Sequence, residues 1–224
     1  MGGLEFHYGR LTNAILRAIE VLVEREEAII WIAVRQRARL EHWLKLELAY
    51  ELEKMGFRQV ALEESYRRGK RADVAFDVDG GRGYLELKTC ATNWAVEGVP
   101  LATSRPITNE VASFLKDVES VKSIRRPNLG MALMLLLPAR LRDDIISRIR
   151  AWRKYGDELL SERPLVRMLK LKDEVGIAVL LFGPYQDGKL VRGPEGLGNL
   201  LSGLRFEEEE IEEARKLLRV PQGA

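Results

Sequence analysis

The sequence predicts an α/β fold with a mixed β-sheet: antiparallel strands come first, and strands reached by helical crossovers follow. Three observations predict it. Residues 27–54 contain neither glycine nor proline and repeat apolar side chains at three- and four-residue steps. Residues 71–90, RADVAFDVDGGRGYLELKTC, read as two strands around Asp79-Gly80-Gly81, a strong turn signal. The runs GMALMLLLP and GIAVLLFGP are continuously apolar, as strands buried on both faces are, and each follows a helical stripe.

Taken in order, Leu11, Ile15, Leu16, Ile19 and Leu22 mark a first amphipathic helix. Leu40, Trp43, Leu44, Leu48, Leu52 and Met55 carry the stripe of the 27–54 run, and Gly56 suits the C-cap. The period then changes. FRQVALEESY, RADVAFDVD and GYLELKTC alternate like strands. After the loop VEGVPLATSRP, a helix is marked by Ile107, Val111, Phe114, Leu115, Val118, Val121 and Ile124. The run GMALMLLLP gives the next strand, Leu141, Ile145, Ile146, Ile149 and Trp152 a helix, and GIAVLLFGP a last strand. A glycine-rich loop from Asp187 and a charged helix near 207–218 complete the order. The domain reading is an N-terminal helical extension over 1–39 and an α/β domain over 40–224.

With 224 residues, 46% hydrophobic and 31% charged, the chain has the composition of a soluble globular protein with an ample core. Its net charge of +2 neither requires nor excludes a nucleic-acid partner, because binding depends on local patches. Cys90 is the single cysteine and His7 and His42 are the only histidines, so a disulfide and a Cys/His zinc site are not expected. The longest apolar runs are too short to span a bilayer, and an intracellular, cytoplasmic setting is the expectation. Few Asn and Gln beside many Glu, Lys and Arg point towards a thermophilic source.

The hairpin at 71–90 carries charge where a plain hairpin needs none. Alternation puts Tyr84, Glu86 and Lys88 on one strand face, and Asp73, Ala75, Asp77 and Asp79 on one face of the preceding strand. A hairpin can therefore bring Asp73 near Glu86 with Lys88 beside them, the register depending on the length of the turn. Two converging carboxylates repel unless a cation or proton lies between them. Mg²⁺ takes oxygen ligands and needs only one or two protein carboxylates beside water and phosphate. A neighbouring lysine can place a water and offset charge building on a phosphate. The competing reading is a solvated face with cross-strand ion pairs.

Asp73 followed by Glu86-Leu87-Lys88 on the next strand resembles the PD-(D/E)xK motif of restriction-endonuclease-like nucleases, and the αβββαβ order resembles their core over residues 40–185. Ala72 stands where the motif has proline. The resemblance implies Mg²⁺-dependent (or Mn²⁺-dependent) cleavage of DNA, with Asp73 and Glu86 as metal ligands and Lys88 as the catalytic lysine. Many such nucleases also carry an acidic residue on the preceding helix, for which Glu47 is the best match and Glu51 the alternative. The helix after the third strand lacks the Gln-x-x-x-Tyr pattern of the RecB-like exonucleases, which favours endonucleolytic cleavage.

Thr89 is a candidate supporting residue. Tyr84 and Cys90 read as packing residues, and Asp77 and Asp79 as strand-end and turn residues. Arg67, Arg68, Lys70 and Arg71 form the densest basic cluster and would contact phosphates at the mouth of a nuclease site. Lys116, Lys122, Arg125 and Arg126 form a second basic group. A homodimer would supply two sites for two DNA strands. A nucleic-acid-binding module that does not cut is the alternative function.

Overall fold

A computed structural model describes residues 2–100 and 107–191. The chain starts with helices α1 (Gly2–Arg25), α2 (Glu27–Gln36) and α3 (Glu41–Lys54). The glycine-free run at 27–54 is therefore two helices. They part at Arg37, whose φ of 54° lies in the left-handed region. That conformation costs a non-glycine residue roughly 1 kcal/mol. It is offset where the Arg37 guanidinium donates to the carbonyls of Thr92 (3.1 Å) and Pro100 (2.8 Å), tying the helix end to the loop after the third strand. Gly56 closes α3 as its sequence suggests: φ is +89°, and the Gly56 and Phe57 amides return to the Glu53 and Leu52 carbonyls.

Three strands follow, β1 (Ala61–Arg67), β2 (Lys70–Val78) and β3 (Gly81–Ala91), then α4 (Ile107–Lys122) and β4 (Leu129–Arg140). The remaining elements are α5 (Ile145–Arg150), α6 (Lys154–Ser161), β5 (Leu165–Lys172), β6 (Val175–Gln186) and the short β7 (Lys189–Leu190). The strands form one open mixed sheet in the order β1-β2-β3-β4-β6-β5, with β7 on β6. Only β3 and β4 run parallel, joined through α4; every other pair is antiparallel. The second expected helical crossover is instead an excursion through α5, α6 and the edge strand β5, after which β6 returns antiparallel to β4. The glycine-rich loop from 192 onward and the charged helix at 207–218 lie outside the described residues.

The sheet is buried on both faces, as the apolar runs of β4 and β6 require. One core joins α1, α2 and α3 to Val74, Phe76, Leu85 and Leu87 and to Met131, Leu133, Leu135 and Leu137 of β4. The other joins α4, α5 and α6 to Ala75, Tyr84, Cys90, Ala132, Met134 and Leu136. Helices α1 and α2, within the residues 1–39 read as an N-terminal extension, contribute Ile15, Ile19, Leu22 and Ile30 to the same core as the hairpin. Helix α4 lies close on β4 because Gly130 has no side chain: a Cβ there would meet the Val121 carbonyl oxygen at 2.1 Å. Among the described residues no helix is long and apolar enough to cross a membrane.

Glu51 of α3 is 2% exposed, and Arg25 at the end of α1 pairs with both Glu51 and Glu47. Lys54 is the other cation on Glu51, at 3.3 Å. Replacing Arg25 by Met leaves a buried carboxylate with one partly exposed partner, and should cost about 1–3 kcal/mol of stability. Chemical denaturation checks this, with Lys54→Met expected to cost less than Arg25→Met.

Candidate active site

The site begins where two paired strands part. A two-residue turn, Asp79-Gly80 with Gly80 at φ +81°, sets Val78 opposite Gly81 and carries the β2–β3 pairing down to Val74 opposite Leu85. There it stops. Asp73 and Glu86 are the next residues on each strand, and from Glu86 to the end of β3 the ladder continues on the β4 side only. The splay frees β3 amides on the β2 side, and buried N–H groups need acceptors. Asp73 Oδ2 accepts from the Leu87 amide at 2.6 Å, and Glu41 Oε2 accepts from the Thr89 amide at 3.3 Å. Two carboxylates therefore stand where a strand would have been.

The β1–β2 pairing is distorted at the same level. Leu62 faces Val74 and Glu64 faces Ala72, while the intervening Glu63, at φ 54°, and Asp73 do not pair. Lys45 of α3 fills this break, its Nζ 2.6 Å from Asp73 Oδ1 and 2.8 Å from Glu63 Oε1. One turn earlier on the same helix face, Glu41 Oε2 lies 3.3 Å from Lys88 Nζ. A second irregularity, a bulge between Ser65 and Arg67, falls on Tyr66. The Tyr66 ring packs on Tyr84 with centroids 5.5 Å apart, and its hydroxyl donates to Glu86 Oε1 at 3.1 Å.

Electrostatics single out Glu86. Burial, then the charges of Asp73 and Asp117, push its carboxyl up to about 7. Burial also raises Asp73, against the lowering by the Lys45 ammonium and the Leu87 amide. Asp117 of α4 is raised by burial too, against Lys88 and Lys70. Burial works against the ammonium of Lys88, but Glu41 and Glu110 outweigh it and hold the group above its ordinary range. Lys45 behaves likewise: Asp73 and Glu63 outweigh its burial, so it stays charged.

The predicted residues Asp73, Glu86 and Lys88 thus belong to one cluster, but Glu47 does not join it. Glu47 lies on the side of α3 turned to α1, paired with Arg25, as does its alternative Glu51. The helix supplies Glu41 and Lys45 instead, in line with the buried Leu48 and Leu52 at helical spacing. Thr89 enters through its amide, and Tyr84 and Cys90 are buried. Asp77 pairs across the strands with Arg82 at 2.7 Å. Arg67, Arg68, Lys70 and Arg71 are all exposed at the β1–β2 turn, where Gly69 has φ +74°. Lys70 at this tip favours the charged forms of both Glu86 and Asp117, so its ammonium stands near enough to act on the acidic cluster. In the second basic group, Lys122 is taken up by Glu119 and Glu162 and Arg126 by Asp187.

The donors here are carboxylate oxygens, which suit a hard divalent cation. Among the described residues no three His, Cys, Asp or Glu side chains already stand close enough together to hold a metal. A cation would therefore rest on one or two carboxylates, a coordination that suits Mg²⁺. The raised Glu86 beside Asp73 fits that role, since a cation there would relieve the repulsion. Compared with protein-family models, curated proteins and solved structures, the chain has no significant match in any of the three.

A carboxyl whose folded-state pKa lies above its ordinary 4.5 contributes stability that is complete below pH 4.5 and lost as pH rises through about 7. Glu86→Gln should therefore be more stable than the wild type at pH 8, by about 1–2 kcal/mol after allowance for partial solvent access. Thermal unfolding across pH 4–8 should show the gap closing towards pH 4.

Proposed function

We propose that the protein is a divalent-metal-dependent nuclease that hydrolyses DNA phosphodiester bonds endonucleolytically, on a restriction-endonuclease-like core. The observation that carries this reading is the splay at Val74–Leu85, which leaves Asp73 and Glu86 next to one another across the parted strands, with Lys88 on the Glu86 face. The run α3-β1-β2-β3-α4-β4, with β3 and β4 parallel, supports the same reading, because it follows the αβββαβ order of those nucleases.

On this reading Asp73 and Glu86 hold the cation, which when bound polarises the phosphate and acidifies a water. The remaining work belongs to the chain's own side chains. Lys88, kept charged by Glu41, orients the attacking water and offsets charge that builds on the phosphate oxygens. Tyr66 holds Glu86 through its hydroxyl and limits where that carboxylate can point. The exposed Arg67, Arg68, Lys70 and Arg71 take the flanking phosphates, and because they meet the backbone they bind without regard to sequence.

With Mg²⁺ or Mn²⁺, the wild type should cut at least one of a panel of plasmid, linear duplex, branched and single-stranded DNA. Asp73→Asn and Lys88→Met should each lower the rate at least about 100-fold. If the wild type cuts nothing and all three proteins bind DNA equally, the fold serves as a non-cutting nucleic-acid-binding module.

Binding is checked separately by salt titration. Arg68→Ala with Arg71→Ala should weaken DNA affinity and lower the slope of log K against log salt by roughly one to two. An unchanged slope removes the β1–β2 tip from the contact surface.

A further inference from the structure

Among the described residues Lys45 is the only buried lysine or arginine, at 8% exposure. Placing an ammonium there is costly, and a well-packed apolar side chain would join α3 to the sheet with less penalty. A second cost lies beside it: Glu63 holds φ 54°, unfavourable for any residue with a Cβ. Both costs meet at one contact, Lys45 Nζ between Glu63 Oε1 and Asp73 Oδ1, where the β1–β2 ladder is interrupted. Helix α3 alone does not need this link, because Leu44, Leu48 and Leu52 already bury it against the sheet.

We propose that Lys45 is a positioning residue that fixes the Asp73 carboxylate, its ammonium on Oδ1 opposing the Leu87 amide on Oδ2, so that Asp73 meets a divalent cation in one orientation. This rests on the reading of Asp73 as a cation ligand. Each carboxylate oxygen accepts more than one bond, so a cation can share Asp73 with Lys45 without displacing it. The opposite role is a place-holder, in which the ammonium occupies the cation's position and must leave. The two differ in sign. Removing a positive charge beside a cation site strengthens cation binding by Coulomb attraction alone. Weaker binding without Lys45, measured at a pH high enough that protons do not compete for Asp73, must therefore come from lost orientation of that carboxylate.

The test is Mn²⁺ binding to the full chain, by titration calorimetry and by the electron paramagnetic resonance of free Mn²⁺. It compares wild type, Lys45→Met, Lys45→Arg and Asp73→Asn, with thermal unfolding to establish that each is folded. Asp73→Asn should abolish binding. Lys45→Met should raise the Kd at least tenfold and lower kcat for DNA cleavage at saturating metal while leaving KM for DNA unchanged; Lys45→Arg should fall between. Binding by Lys45→Met as tight as wild type, or tighter, overturns the proposal. If Lys45→Met does not fold, Lys45→Arg decides, and a wild-type Kd in that variant overturns it. No Mn²⁺ binding by the wild type, or full binding by Asp73→Asn, overturns the reading of Asp73 as a ligand and this inference with it. Loss at Asp73→Asn alone overturns only the role of Lys45.

Discussion

Below Val74 and Leu85 the hairpin strands stop exchanging hydrogen bonds, although β3 runs on for six more residues along β4. The carboxylates at the centre of the site follow from that parting. A strand edge inside a covered sheet leaves amides that must be satisfied, and here the acceptors are side-chain carboxylates of Asp73 and Glu41. Accepting those bonds anchors each carboxylate by one oxygen. The charges they bring then call for the cations that surround them, Lys45 on Asp73 and Lys88 on Glu41. The hairpin turn at Asp79-Gly80 sets the level at which this happens, since a one-residue slip would turn Glu86 and Lys88 to the opposite face.

The rest of the fold makes the splay tolerable. β4 and β6 are buried almost end to end, and helices cover both faces, so the rigid centre of the sheet lies beside the parted strands. Helix α3 supplies Glu41 and Lys45 from one side. Helix α4, drawn onto β4 over Gly130, brings Asp117 and Glu110 from the other. The carboxylates of the cluster are thus carried by five separate elements: Glu41 on α3, Glu63 on β1, Asp73 on β2, Glu86 on β3, and Glu110 and Asp117 on α4.

Much of this architecture was legible because its signals are local. Asp79-Gly80 between alternating runs specified a hairpin, and the apolar runs at 130–138 and 176–184 could be nothing but buried strands or helices of improbable shortness. β5 escaped because LVRMLKLK mixes basic and apolar residues at an edge, where one face is solvated. The break at Arg37 escaped because no glycine marks it; its left-handed turn is held by carbonyls more than fifty residues away. The same limit explains the site. Asp73, Glu86 and Lys88 stand on strands whose alternation could be read, whereas the helix partner depends on which side of α3 meets the sheet. Glu41 and Lys45 continue the line of Leu48 and Leu52, but a polar start to an apolar stripe looks like a solvated helix end. Glu47 lies on the flank that α1 covers, and its partner Arg25 belongs to another helix. The bulge that turns Tyr66 towards Glu86 has no glycine to announce it.

The balance of charge connects these pieces to function. Around Asp73 and Glu86 the carboxylates of Glu41, Glu63, Glu110 and Asp117 outnumber the ammonium groups of Lys45, Lys70 and Lys88. Without a further cation such a cluster repels a phosphodiester, and the basic residues of the β1–β2 tip attract nucleic acid only to its rim. A divalent ion reverses the local sign, so on the nuclease reading the backbone and the ion favour one another's binding, as linkage requires of any two ligands that share a field. Lys45 and Lys88 set how strong that coupling is. On that reading each is a fixed positive charge beside a carboxylate, Lys45 on Asp73 and Lys88 on Glu41, and so each limits the net negative charge that draws the ion in.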